Sequence, residues 1–190
     1  MALRILGISG SLRADSHNSR LLAAAAQLLP ADVDYVRFGG LKALPPFDED
    51  DEEDPGPAVE HLRAEIAVAD GLLFATPEYN SSIPGQLKNA IDWASRPFEE
   101  TVIRNKNAAV IGASTSMFGA VWAQAELRKV LSAAGARVIG SELAVSYAEE
   151  RFDTEDRLVE PELQTALEDI VSELLKQART SAASREAAHS

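Results

Sequence analysis

The stretch GISGSLRADSHNSRLL, Gly7 to Leu22, joins a short apolar run to an apolar-periodic segment through a turn crowded with hydrogen-bond donors. Leu3–Ile8, just ahead of it, is almost continuously apolar, as in a strand covered on both faces. Asn18–Leu29, just behind it, places Leu21, Leu22, Ala25, Leu28 and Leu29 at helical spacing. A strand feeding straight into a helix opens a parallel crossover unit, because parallel neighbours cannot be joined by a hairpin. The same alternation recurs down the chain. Apolar runs return at Val33–Phe38, Gly71–Thr76, Ala108–Ala113 and Val138–Val145. Helical patterns follow at Pro57–Ala69, Pro84–Ser95, Gly119–Ala134 and Pro161–Ala178.

This repetition predicts a single α/β domain over residues 1–178, a five-stranded parallel sheet in the order 2-1-3-4-5 with helices on both faces. In such a sheet the winding direction reverses between strands one and three, and ligands sit beyond the carboxyl ends of those strands. The two turns richest in Gly, Ser and Asn follow those same two runs. Asp48–Asp54, seven consecutive acids followed by Pro55 and Gly56, reads as a solvated loop between units. Residues 179–190 are small and polar and read as a disordered tail.

Composition narrows the chemistry. The 190 residues carry 30 acidic against 18 basic side chains, a formal charge of -12, which argues against a general binder of nucleic acid or anionic membrane. An anionic ligand must therefore be gripped by local donors against the global field. The absence of cysteine removes disulfides, dithiol redox chemistry, thiolate nucleophiles and Cys-based zinc sites. Any electrons handled here travel on a bound cofactor. No segment reaches the roughly 20 apolar residues of a membrane span, and MALRILGISGS reads as a first strand rather than a secretory signal. A cytoplasmic location is the expectation.

Ser9, Gly10, Ser11, Arg13, Ser16, Asn18 and Ser19 precede or open the first helix. Helix N-termini present unpaired amides and the positive end of the dipole, a ready phosphate site. Three phosphate motifs fail here. No Gly-x-x-x-x-Gly-Lys-Ser/Thr run exists, and Gly7 and Gly10 lack dinucleotide-fingerprint spacing, with Arg37-Phe38-Gly39 in place of an acid after the second run. A phosphatase loop lacks its cysteine. What remains is the monophosphate of a mononucleotide, or else turn and cap residues with no ligand. His17 beside this turn, His61 and His189 read as solvated side chains.

After the third run comes PEYNSSIPGQLKNAIDWASRP, Pro77 to Pro97, in which Pro77, Pro84 and Gly85 hold a rigid turn. Tyr79 stands where an aromatic face can cover a planar ring, or can pack on its own helix. At this point the chain resembles the NADPH-dependent FMN reductase family, flavodoxin-like enzymes that include quinone, chromate and azo-dye reductases. The matching motifs are G-S-x-R-x-x-S-x-N at Gly10–Asn18, P-E-Y-N at Pro77–Asn80, P-G-x-L-K-N-A-I-D-W at Pro84–Trp93, and G-A-S at Gly112–Ser114 with A-Q-x-x-L-R at Ala123–Arg128.

The resemblance implies a flavodoxin-like fold, FMN as cofactor, NADPH or NADH as co-substrate, and a quinone or similar small molecule as acceptor. It assigns Ser9, Ser11, Leu12, Arg13, Ser16, Asn18 and Ser19 to the FMN phosphate. It sets Pro77, Glu78, Tyr79 and Asn80 along the flavin ring and ribityl chain, with Ser114 approaching from the fourth strand. No protein side chain is implied as nucleophile, and no metal. A homodimer or homotetramer is implied, with Pro84–Ser95 against a partner and Trp93 either at that interface or in the core. One departure stands out. Where the family often has S-x-G-x-x-G-G, this chain has Ser116 and Ala120 at two glycine positions. Met117 and Phe118 between them form either a wall of the acceptor pocket or core. A flavodoxin-like electron carrier without its own nicotinamide turnover is the alternative reading, and a flavin-free interaction protein a third.

Overall fold

In a computed structural model that describes residues 2–188, the order is β1 (Leu3–Ser9), α1 (His17–Gln27), β2 (Val33–Phe38), α2 (Pro57–Val68), β3 (Gly71–Thr76), α3 (Gly85–Ala94), β4 (Asn107–Ala113), α4 (Val121–Ala133), β5 (Arg137–Val138), β6 (Ala144–Val145) and α5 (Pro161–Ala188). The strands pair in parallel as β2-β1-β3-β4-β5, and β6 also pairs with β4. The expected order and the doubly wound architecture are both present.

Period-two alternation within near-continuous apolar strands produces the layers. Leu6, Ile8, Leu72, Phe74 and Val110 face α2, α3 and α4 in one core, with Leu62, Ile66, Leu87, Ile91 and Leu127. Ile5, Leu73, Ala75, Ala109 and Ile111 face α1 and α5 in the other, with Leu21, Leu22, Ile170, Val171 and Leu174. Trp93 lies wholly inside the first core, its Nε1 donating to the Pro45 carbonyl at 2.9 Å and its ring edge-on to Phe47. It is a core residue.

Two elements depart from expectation. Val138–Val145 forms two short strands, because between the pairs Ala108↔Val138 and Gly112↔Ala144 the outer chain takes two more residues than β4. Ile139 and Leu143 stay buried while Gly140, Ser141 and Glu142 bulge toward solvent. The last helix continues beyond Ala178 to Ala188, across most of the segment read as a tail. Side-chain anchors explain the extension: Arg179 reaches Asp32 at 3.2 Å, Asn107 donates to Ser181 Oγ at 3.0 Å, and Arg185 pairs with Asp70. His189 lies outside the described residues. The acidic run is solvent-exposed for most of its length, with Asp48 capping a short 3-10 turn at Glu49–Asp51 and Glu52 meeting Arg96 at 3.2 Å.

Candidate functional site at the carboxyl edge of the sheet

The carboxyl ends of β1, β3 and β4 converge, and each turn is held by bonds to the next. Gly10 donates to the Ala75 carbonyl at 2.8 Å, drawing the first turn onto β3. A Cβ on Gly10 would stand 2.8 Å from Leu87 Cδ2 and 3.3 Å from Pro77 Cδ, so glycine permits this approach. Ser9 Oγ accepts from the Ser11 amide and the Ser19 hydroxyl, each at 3.3 Å. Ser11 Oγ accepts from the Arg13 amide at 3.3 Å, and Ser16 caps α1 by accepting from the Asn18 amide at 3.2 Å. Asn18 is buried and spans to β4, its Nδ2 donating to the Ala113 carbonyl and its Oδ1 accepting from the Ala113 amide, both at 2.9 Å.

These bonds leave a specific set of donors uncommitted. Among the described residues the amides of Leu12, Ser16 and His17 have no hydrogen-bond partner, and the Arg13 guanidinium has neither hydrogen bond nor ion pair. The first turn of α1 carries no acid. Free amides, a helix N-terminus and one unengaged guanidinium are the donor set that an anion requires.

His17 is half-buried beside this turn rather than fully solvated. Its ring stacks on Phe152, with centroids 6.3 Å apart and planes 14° from parallel. The Arg20 guanidinium lies over the same Phe152, 4.8 Å from the centroid. Burial lowers the His17 pKa below its ordinary value; the charges of Arg20 and Arg13 push the same way, against a smaller opposing pull from Glu149.

The second turn reverses tightly. Tyr79 and Ser82 exchange backbone hydrogen bonds at 3.0 and 3.1 Å, with Asn80 and Ser81 between them at φ of 53° and 61°. The Tyr79 amide is thus committed, whereas those of Glu78, Asn80 and Ser81 have no partner among the described residues. Tyr79 is half-exposed, not packed away on its helix. Glu78 Oε2 accepts from the amides of Trp122 and Ala123, both at 3.1 Å, and so caps α4. Ser82 Oγ donates to Glu126 Oε2 at 2.6 Å, a second tie to the same helix.

The third turn follows β4. Ser114 Oγ accepts from the Ser116 amide at 3.1 Å, while the Ser114 amide donates to the Val145 carbonyl at 3.0 Å. Gly119 and Ala120 both take left-handed backbone, at φ of 58° and 63°. A Cβ at Gly119 would lie 2.6 Å from the Ala144 carbonyl carbon, so glycine is needed there. Ala120 takes this left-handed backbone without being glycine, at a strain of about 1 kcal/mol. Met117 and Phe118 are exposed, so neither is core, and the Phe118 ring lies 4.7 Å from that of the exposed Trp122.

One cleft gathers Ser11, Arg13, Ser16 and Asn18 from the first turn, Pro77, Glu78 and Tyr79 from the second, and Ser114 from the third. Ser9 and Ser19 brace the first turn from behind, and Leu12 and Asn80 lie outside the cleft wall. His17, Ala113 and Thr115 also line it. The position of His17, between the cap Ser16 and the bridging Asn18, was the signal for its inclusion. The cleft is small, about 130 Å³, and a groove between α5 and the link from α1 to β2 is larger, about 620 Å³. Converging donors at the switch point, rather than size, mark the site.

Comparison with known proteins identifies the family. The model of the family described as NADPH-dependent FMN reductase matches residues 3–150. An NAD(P)H-dependent FMN reductase of Pseudomonas aeruginosa is 43% identical over 160 residues, covering 83% of this chain and 85% of the relative. A 2-hydroxy-1,4-benzoquinone reductase of a Burkholderia species is 40% identical over 171 residues, covering 88% and 92%. Among solved structures, a flavoenzyme NAD(P)H:(acceptor) oxidoreductase from Paracoccus denitrificans superimposes with a TM-score of 0.83 at 30% identity, over 94% of this chain and 98% of its own. The chain belongs to the NADPH-dependent FMN reductase family.

Proposed function

We propose that this protein is an FMN-dependent NAD(P)H oxidoreductase that reduces a quinone or similar small acceptor, in the cytoplasm and as a homo-oligomer. The observation that carries the reading is the unengaged Arg13 guanidinium beside the free amides of Ser16 and His17, in one cleft with Tyr79. The FMN phosphate suits that donor set, because charge and amides are concentrated there on a chain that is otherwise strongly acidic. FMN when bound supplies the hydride chemistry, accepting from a nicotinamide and delivering to the acceptor.

The chain's own residues bind and orient. Arg13, with the first-turn amides, holds the phosphate, and the hydroxyls of Ser11 and Ser16 flank it. The amides of Glu78, Asn80 and Ser81, without a partner among the described residues, would supply donors for negative charge arising on the ring. Tyr79 and the Phe118–Trp122 pair leave aromatic surface open for a planar partner. Bound FMN would serve nicotinamide and acceptor in turn, which predicts ping-pong turnover. Support for assembly comes from the exposed Leu12, Met117 and Tyr147, all on turns at the same edge of the sheet.

The test is the absorption spectrum of the purified protein reconstituted with FMN. NADPH bleaches the flavin band, a quinone restores it, and double-reciprocal plots at several quinone concentrations run parallel. A colourless preparation that ignores added FMN refutes the reading. A flavin band that NADPH leaves untouched favours the electron carrier.

A further inference from the structure

α4 begins without a cap of its own. Its N-cap residue, Ala120, has no side-chain acceptor, and the first turn contains no acid. The missing acceptor comes from a different element, since Glu78 Oε2 takes the amide hydrogens of Trp122 and Ala123, both at 3.1 Å. A carboxylate is the favoured group at a helix N-terminus, where free amides and the dipole both present positive charge. Glu78 sits between Pro77 and Tyr79 in the turn that lines the cleft. Trp122, whose amide it holds, packs its ring against that of Phe118, centroids 4.7 Å apart and planes inclined by 59°, and both rings are exposed. The tie from Ser82 to Glu126 fixes the same turn to the next coil of α4.

We propose that Glu78 is a positioning residue for the electron acceptor: from the turn that carries Tyr79 it caps α4 and thereby sets the Phe118–Trp122 pair as a wall of the acceptor site. The proposal rests on the flavin-reductase reading and adds that acceptor fit is governed by a hydrogen bond made away from the flavin. It also separates two jobs within the turn. The side chain of Glu78 is committed to α4, while the backbone amides of Glu78, Asn80 and Ser81 remain free for the ring. Loss of the carboxylate lets the first turn of α4 fray, and the aromatic pair with it, while the phosphate site on β1 and α1 keeps its own bonds.

The chain supplies its own reporter. Its two tryptophans are the fully buried Trp93 and the exposed Trp122, so acrylamide quenching senses chiefly Trp122, and a Trp122→Phe variant identifies that signal. Quenching is measured on apo-protein of wild type, Glu78→Ala and Glu78→Gln. FMN affinity, quinone KM and ferricyanide reduction are then measured on the loaded forms. Ferricyanide, a small ion that takes electrons without docking on an aromatic wall, is the control acceptor. Glu78→Ala is expected to raise quinone KM roughly fivefold to tenfold, the scale of a lost cap. The rise in quinone KM exceeds any change in FMN affinity or in ferricyanide KM, and Trp122 quenches more readily. Glu78→Gln, whose amide oxygen still accepts from both N–H groups, recovers most of the shielding and of the KM. If Glu78→Ala does not fold, Glu78→Gln and Ser82→Ala carry the comparison, each with a smaller change in the same direction.

Unchanged quenching and unchanged quinone KM overturn the proposal. So does a loss of FMN affinity that lowers quinone and ferricyanide rates together, since that places the carboxylate on the flavin. If wild type takes up no FMN, the flavin reading fails and acceptor positioning with it. The quenching series then still decides whether Glu78 holds Trp122.

Discussion

Asn18 and Ala113, 95 residues apart, form a closed two-bond pair in which the side-chain amide of one matches the backbone of the other, donor to acceptor and acceptor to donor, at 2.9 Å each way. The pair joins the start of α1 to the end of β4, and both residues line the cleft. Both partners are buried, so removing the side chain strands a carbonyl and an amide that water cannot reach. Asn18→Ala is therefore expected to cost about 2–4 kcal/mol, read from urea denaturation of the apo-protein. A change under about 0.5 kcal/mol, the ordinary scale of a surface substitution, would mean that water or another donor replaces it.

The turn at Tyr79–Ser82 makes the opposite prediction, a gain. Both central residues have positive φ, 53° at Asn80 and 61° at Ser81, as a type I′ turn demands. Asparagine tolerates that geometry and serine does so less well, whereas glycine meets it without strain. Ser81 is exposed and its side chain makes no hydrogen bond among the described residues, so little is lost with it. Ser81→Gly is expected to stabilise the fold by about 0.5–1 kcal/mol after the added freedom of the unfolded chain is discounted, a rise in Tm of roughly 1–4 °C. A fall in Tm would show that the serine hydroxyl supports the turn in solution.

How much of this was legible in the sequence depends on the range over which each feature is determined. The sheet order followed from local patterns, because each strand is a short apolar run with its own crossover. The first turn was legible for the same reason: Ser16 caps the helix it precedes, and Gly10 and Arg13 stand in one contiguous motif. Features set by distant partners were not legible. Nothing near Asn18 shows that Ala113 consumes its amide, and nothing in P-E-Y-N shows that Glu78 serves α4. Trp93 was ambiguous until Pro45 and Phe47, from a loop far upstream, closed over it. The long α5 escaped notice because its last turns are held by polar anchors on β4, α2's exit and the approach to β2 rather than by an apolar stripe. The split of the last strand turned on two extra residues, which an apolar run conceals.

Arg13 separates affinity for the phosphate from affinity for the ring. Its guanidinium is exposed and unengaged, so its removal disturbs no internal bond. A charge-assisted hydrogen bond to phosphate is worth about 1.5–3 kcal/mol, and Arg13→Ala is expected to weaken FMN binding by that amount. Riboflavin, which lacks the phosphate, should bind wild type and variant equally. Flavin fluorescence titrations of the two ligands provide the comparison. Equal losses for both would place Arg13 against the ring, and no loss for either would point it away from the site.

His17 makes the stability of the fold sensitive to acid. Burial foremost, then Arg20 and Arg13, hold its pKa in the folded protein below the ordinary 6.5. Between the lowered value and 6.5 the unfolded chain carries a proton on this ring that the folded chain does not. The unfolded state binds more protons in that window, so stability rises with pH across it and is lost as pH falls. Above 6.5 the ring is neutral in both states and adds no slope. His17→Gln removes the titration and also the stacking on Phe152, but the second loss is a constant offset. The urea midpoint of wild type should therefore fall relative to that of His17→Gln as pH drops below 6.5. Bound FMN should shrink this difference, because a phosphate near the ring opposes the field of the two arginines and favours the protonated form. Parallel profiles for the two proteins, with and without FMN, would show that His17 meets solvent freely and senses neither the arginines nor the ligand.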